Sequence, residues 1–195
     1  MRQDAANNRD AIVAATRQLL VTEGPGVSMR TIAKTASVGV ATATRHFPER
    51  IDLLEAVSAQ AVGDIAAVIE EHLDRFDTDP RTAWRTTIHA IGELQLAALA
   101  QAIFAETMQD PEVMQHRQDI VEKRTAELRT HYDRLLRRAK EANLCPTDLD
   151  PLEFHLSLGV VTRPLPAGAP KIVGATQLAR NPVDVMLDGL EARVK

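Results

Sequence analysis

The sequence is short of aromatics, of cysteine and of strand-type alternation, and each shortage narrows what the chain can be. One Trp, one Tyr and four Phe among 195 residues leave a core, and any pocket within it, to be built from Leu, Val, Ile, Ala and Met. The single Cys145 excludes an internal disulfide framework and suits a reducing compartment. It precedes Pro146 in a loop and reads as structural or incidental. His89 and His155 have no Cys or second His at ligand spacing, so neither a metal nor another cofactor is expected. Arg17 interrupts the apolar run from Ile12 to Val21, unlike a secretory leader. The uncharged stretch "LQLAALAQAIFA", Leu94 to Ala105, is too short to span a bilayer. A soluble, cytoplasmic protein is the expectation. The sequence has no nucleophile elbow, glycine-rich phosphate loop or Cys-His pairing, so it is read as a binding protein and not an enzyme.

The net charge of −4 argues against a surface that is polyanion-binding throughout, but the charge is unevenly spread. Residues 1–50 hold seven Lys/Arg against four acids, a net +3, and the remainder holds 16 against 23, a net −7. A small basic head on an acidic body points one end at a polyanion.

The periodicity is helical from end to end. Ile12, Ala15, Leu19 and Leu20 make the face of a first helix that stops at "GPG", residues 24–26. Ser28 is an N-cap for a short second helix with Met29, Ile32, Ala33 and Ala36 inside. Ser37-Val38-Gly39 breaks it, and a third short helix is expected from about Val40 to His46. A fourth runs from Glu49 to about Phe76. Asp79-Pro80 opens a fifth, expected to continue from Arg81 to Met108 with its second half apolar all round, hence buried on every side. Asp110-Pro111 starts a long amphipathic helix to Asn143. Asp150-Pro151-Leu152-Glu153 is a cap with Pro at the first helical position. Residues 163–181 read as a loop, and a last helix spans Pro182 to Val194. The fold class is all-α, with about nine helices.

Two short helices joined by a three- or four-residue turn, behind a third, make a helix-turn-helix unit. Ala33 is small where the pair must cross closely, and Val38 plugs the turn. The second of the pair, in "ASVGVATATRHFPER", presents Val40, Ala41, Thr42, Thr44, Arg45 and His46 mostly outward. Small residues there let a backbone enter a major groove, where hydroxyls, methyls and an arginine meet base edges. A plain helical hairpin with Arg45 and His46 solvated satisfies the same spacing.

Residues 8–57, above all "SVGVATATRHFPERIDLLEAV", resemble the DNA-binding head of the TetR family of bacterial regulators. "LLRRAKEANLCPTDLDPLEF" and "VDVMLDGLEARV" resemble later helices of one branch of that family. The resemblance implies a head at 1–50 and a ligand-binding and dimerisation bundle at 51–195, with a helix from about 49 linking them. Its DNA contacts would be Ser28, Thr31, Val40, Ala41, Thr42, Thr44, Arg45, His46 and Arg50. Of these, Ser28, Thr31 and Arg50 would face phosphates. Three positions depart from the family pattern. Ser37 stands where Gly is usual in the turn, Ala43 where Leu is usual, and Thr44 where a Tyr usually reaches a phosphate. In a left-handed turn Ser37 would cost roughly 1 kcal/mol.

For the body, the resemblance implies a homodimer with two reading heads held for a palindromic DNA operator, released as a repressor by a small-molecule effector; few aromatics and no evident basic cluster inside the bundle suggest that this effector is small and largely apolar. Leu156, Val160, Val183, Met186, Leu187 and Leu190 are the interface candidates, with Gly159 and Gly189 allowing close approach. Trp84, His89, Phe104, Met108, Tyr132 and Phe154 are the pocket candidates. Ordinary core packing accounts for each of these equally well. The alternative function is a helical sensing or protein-interaction dimer whose DNA-binding head is weakened or lost.

Overall fold

Helix ends in this chain are set by short-range devices, and the computed structural model, which describes residues 2–107, 111–163 and 181–194, places them one after another. The fold is all-α. α1 (Arg2–Thr22) is followed by α2 (Met29–Thr35), α3 (Val40–His46) and α4 (Arg50–Leu73), which tightens into a 3-10 turn at Asp74–Asp77. Gly24 and Gly26, at φ 86° and 84°, take the left-handed conformation that a side chain would strain. Ser28 caps α2 by accepting the Thr31 N–H at 3.1 Å. At its other end Val38 N–H reaches Ala33 O at 2.9 Å and Ser37 N–H reaches Lys34 O at 3.1 Å. That pair of bonds is a Schellman motif, and Ser37 holds its left-handed position at φ 56°.

The expected single helix from Arg81 to Met108 is instead two, α5 (Pro80–Glu93) and α6 (Leu96–Thr107). The break falls at Gln95, φ 53°, with neither Gly nor Pro to announce it. By length and composition alone Pro80–Glu106 would suffice to cross a membrane. Split at Gln95, the two helices have 14 and 12 residues, each short of the roughly 20 a span needs. Nor is the second half buried on every side: Leu99 and Ala102 are buried, but Phe104 is 51% exposed. α7 (Pro111–Glu141), α8 (Pro151–Val161) and α9 (Pro182–Ala192) complete the order among the described residues, and most of the loop expected at 163–181 lies outside them. Asp79, Asp150 and Asn181 each cap the next helix through a side-chain oxygen, with Pro at its first position.

The chain divides into two compact units. The first comprises residues 1–61 and 98–124. Ile12 and Leu20 of α1, Ile32 and Ala33 of α2, Ala43 of α3 and Leu53 of α4 are fully or almost fully buried in it. The second comprises residues 62–97 and 125–195. Its core gathers Trp84, Ile88, Tyr132, Leu135, Phe154 and Leu187, each at most 1% exposed. At Gly92 a Cβ would stand 2.9 Å from the Thr162 methyl, so this glycine is where α5 and the end of α8 need the room. Along one edge of α5, Arg81, Arg85 and His89 meet Asp184, Asp188 and Glu191 of α9 at 2.8–3.2 Å. Truncating a core Trp costs about 3–5 kcal/mol, against at most about 1 kcal/mol for an exposed ion pair. Stability of this unit therefore lies in its apolar centre.

Candidate nucleic-acid interface

α3 buries one side chain and leaves most of the others in solvent. Ala43 is fully buried, Val40 is 45% exposed, Ala41, Thr44 and Arg45 are exposed, and Thr42 and His46 are half-buried. α3 touches both α1 and α2, and Ala43 in place of a larger residue still gives a solvent-free seam. Phe47, buried at the end of α3, lies under the Arg9 guanidinium at 5.1 Å, a contact that adds a cation–π anchor from α1. The helix thus offers a narrow outer face of small and polar side chains, with Arg45 and His46 in its last turn.

At the start of α2, the Ser28 and Thr31 hydroxyls lie 2.9 Å apart, Ser28 exposed and Thr31 half-buried. Ser28 accepts the Thr31 N–H, so part of its acceptor capacity is already used. Thr44 is also engaged: its hydroxyl donates to Val40 O at 3.0 Å.

Arg50 differs most from the sequence expectation. Its Nε donates to Glu106 Oε2 at 2.8 Å and its Nη2 to Glu106 Oε1 at 2.7 Å. The Gly26 N–H donates to the same Oε1 at 2.9 Å. The Glu106 side chain is 10% exposed and that of Arg50 32%. Burial works to raise the Glu106 pKa, and the Arg50 and Gly26 hydrogen bonds with the Arg50 charge outweigh it, holding the carboxyl below the usual glutamate range. Sequence reasoning missed Glu106. Its signal was an acid ending twelve uncharged residues, Leu94 to Ala105, on a helix too apolar to leave a carboxylate without a partner.

The expected pocket residues are dispersed. Trp84, Tyr132 and Phe154 come together, with ring centroids 5.4 Å apart for Trp84–Phe154 and 5.9 Å for Tyr132–Phe154. His89 instead faces Asp184 at 2.8 Å, Phe104 belongs to the other unit, and Met108 lies outside the described residues. An open groove of 240 Å³ is lined by other residues, Leu73, Asp74, Asp77, Arg134, Arg137 and Arg138. Of the expected interface residues, Leu156 and Val160 are 68% and 75% exposed. Val183 and Leu187 are buried in their own chain, and Met186 and Leu190 pack partly against that core. Val185, 54% exposed on α9, was not anticipated.

Residues 12–57 match the family model for bacterial regulatory proteins of the tetR family. No curated protein matches the chain. Among solved structures, the TetR transcription regulatory protein from Mycobacterium vanbaalenii is 24% identical with a TM-score of 0.64, over 97% of this chain and 98% of that one. A TetR transcriptional regulator from Streptomyces coelicolor is 23% identical with a TM-score of 0.66, over 93% and 97%. A TetR-family protein from Vibrio parahaemolyticus is 22% identical with a TM-score of 0.58, over 95% and 97%. These likenesses carry the fold, and the family model carries the helix-turn-helix. Residues 12–57 thus match the helix-turn-helix head of bacterial regulatory proteins of the tetR family, within a chain whose fold is that of these solved structures.

Proposed function

We propose that the protein is a cytoplasmic, homodimeric repressor whose heads, residues 1–50, read a palindromic operator. Residues 51–195 hold the dimer and take a small, largely apolar effector that releases the DNA. The observation that carries this reading is the outer face of α3, where Val40, Ala41, Thr44 and Arg45 are exposed around a buried Ala43. Such a face fits a major groove, with Val40 and Ala41 available to thymine methyls, and Thr42, Arg45 and His46 to base edges or backbone. Ser28, Thr31 and Arg50 serve phosphates. Leu156, Val160 and Val185 support a two-fold contact through α8 and α9, which pack on each other and expose these apolar side chains. The effector site is read at Trp84, whose Nε1 is buried without an acceptor among the described residues and would suit a ligand bearing one.

A second reading, a sensing dimer that has lost DNA binding, draws on the Thr44 hydroxyl, an expected DNA contact, and Arg50, an expected phosphate contact, both of which are bonded within the chain. Equilibrium binding of the purified protein to the DNA upstream of its own reading frame, titrated against salt beside unrelated DNA, separates the two. A repressor gives selective binding with log K falling steeply against log salt. Equal, weak binding to both DNAs favours the sensing dimer.

A further inference from the structure

A guanidinium meets a carboxylate and a phosphate in the same way, through two parallel N–H groups gripping two oxygens. Arg50 makes that two-point contact with both oxygens of Glu106, through Nε and Nη2. A DNA phosphate taking Arg50 in the same mode needs the same two N–H groups. We propose that the Glu106 carboxylate is an internal stand-in for a DNA phosphate, so that Arg50 grips either Glu106 or the operator backbone and never both. This rests on the reading of Arg50 as a phosphate contact, and it adds a competitor to that site.

Three observations support it. Glu106 is the more buried partner, 10% exposed against 32% for Arg50, so withdrawing Arg50 strands a carboxylate that, among the described residues, only the Gly26 N–H, at 2.9 Å, would still serve. The contact is therefore not a loose surface pair that DNA could displace without resistance. Second, Glu106 ties together two places the operator would touch, the turn leading to the Ser28 cap and the first residue of α4. Third, the carboxyl is held ionised by its partners, which keeps the competitor in its anionic form. Because coupling is reciprocal, whatever draws Glu106 away from Arg50 strengthens DNA binding, and bound DNA loosens Glu106.

The test uses the full-length chain and the DNA upstream of its own reading frame, with binding measured across a salt series for wild type, Glu106→Gln, Arg50→Ala and the double variant. Gln keeps a carbonyl for the Gly26 N–H and removes the charge. The Glu106→Gln variant is expected to bind about fivefold tighter at low salt, with the log K–log salt slope steeper by about 0.9, one phosphate contact. In the Arg50→Ala background the same change should leave the slope where it was. Glu106→Asp, which keeps the charge but shortens the reach, should also tighten binding, and carries the test if melting curves show that Glu106→Gln is unfolded. Selective wild-type binding with no steepening in Glu106→Gln, or an equal gain without Arg50, overturns the proposal and leaves the regulator reading standing. Failure of all four proteins to tell this DNA from unrelated DNA removes both.

Discussion

The Thr44 hydroxyl donates at 3.0 Å to the carbonyl of Val40, one turn back on the same short helix. A threonine so bonded has little left to offer a phosphate. On the proposed DNA-reading function, Thr44→Val should therefore change affinity for the operator by less than about twofold. Thr44→Tyr places a hydroxyl beyond the reach of that carbonyl and should raise affinity, with a salt slope steeper by about 0.9 for the added contact. Binding isotherms at four or five salt concentrations decide it, and a flat response to Tyr would show that the backbone does not pass position 44.

Ser37 sits at φ 56° with both bonds of its turn formed. Replacing it by Gly relieves the left-handed strain and should stabilise the chain by about 1 kcal/mol, raising Tm by about 2–4 °C. Ser37→Val, β-branched in the same conformation, should lower it. Thermal melts followed by circular dichroism give both signs.

Val160, 75% exposed, and Leu187, fully buried, were grouped by sequence and are separated by the structure. If α8 and α9 form the proposed dimer contact, Val160→Glu should yield monomer while changing monomer stability by less than about 0.5 kcal/mol. Leu187→Glu buries a charge and should prevent the second unit from folding. Sedimentation equilibrium beside melting curves distinguishes loss of partner from loss of fold. A Val160→Glu chain that keeps its wild-type mass would rule out this face as the interface.

The His155 ring nitrogen Nδ1 lies 3.1 Å from the Tyr132 hydroxyl, and burial lowers the His155 pKa from its ordinary 6.5. The folded chain then binds this proton less readily than the unfolded chain. Its contribution is complete above pH 6.5 and is lost as the pH falls from there towards the folded pKa. His155→Gln should flatten the dependence of stability on pH between about 7 and 5. Denaturant melts of the two proteins at matched pH values measure the difference. Tyr132 stays protonated throughout, since burial raises its pKa.

Signals that act within a few residues are legible in the sequence alone. Ser28, Asp79-Pro80 and Asp150-Pro151 announce their helices through side chains that bond two or three residues ahead, and α3 runs from Val40 to His46 as its flanking breakers require. Gln95 was not legible. It turns the chain at φ 53° without a residue type that prefers the left-handed region, so tertiary packing decides there. Nor was the Arg50–Glu106 grip, which spans 56 positions. Sequence gave a reason for each charge to be somewhere, but only the folded first unit brings them together.

The ionic edge between α5 and α9 has a consequence for alignment. Val183 and Leu187 recur every fourth residue, and an apolar stripe with that repeat fits its groove almost as well after sliding one turn, about 5.4 Å. The charges do not tolerate the slide. Arg85 spans Asp184, Asp188 and Glu191, flanked by Arg81 on Glu191 and His89 on Asp184, and a step in either direction leaves an end pair unmatched. The edge works as a vernier scale, selecting one notch among several that the greasy stripe accepts. It thereby fixes the height at which Val185 stands on the outer side of the same helix.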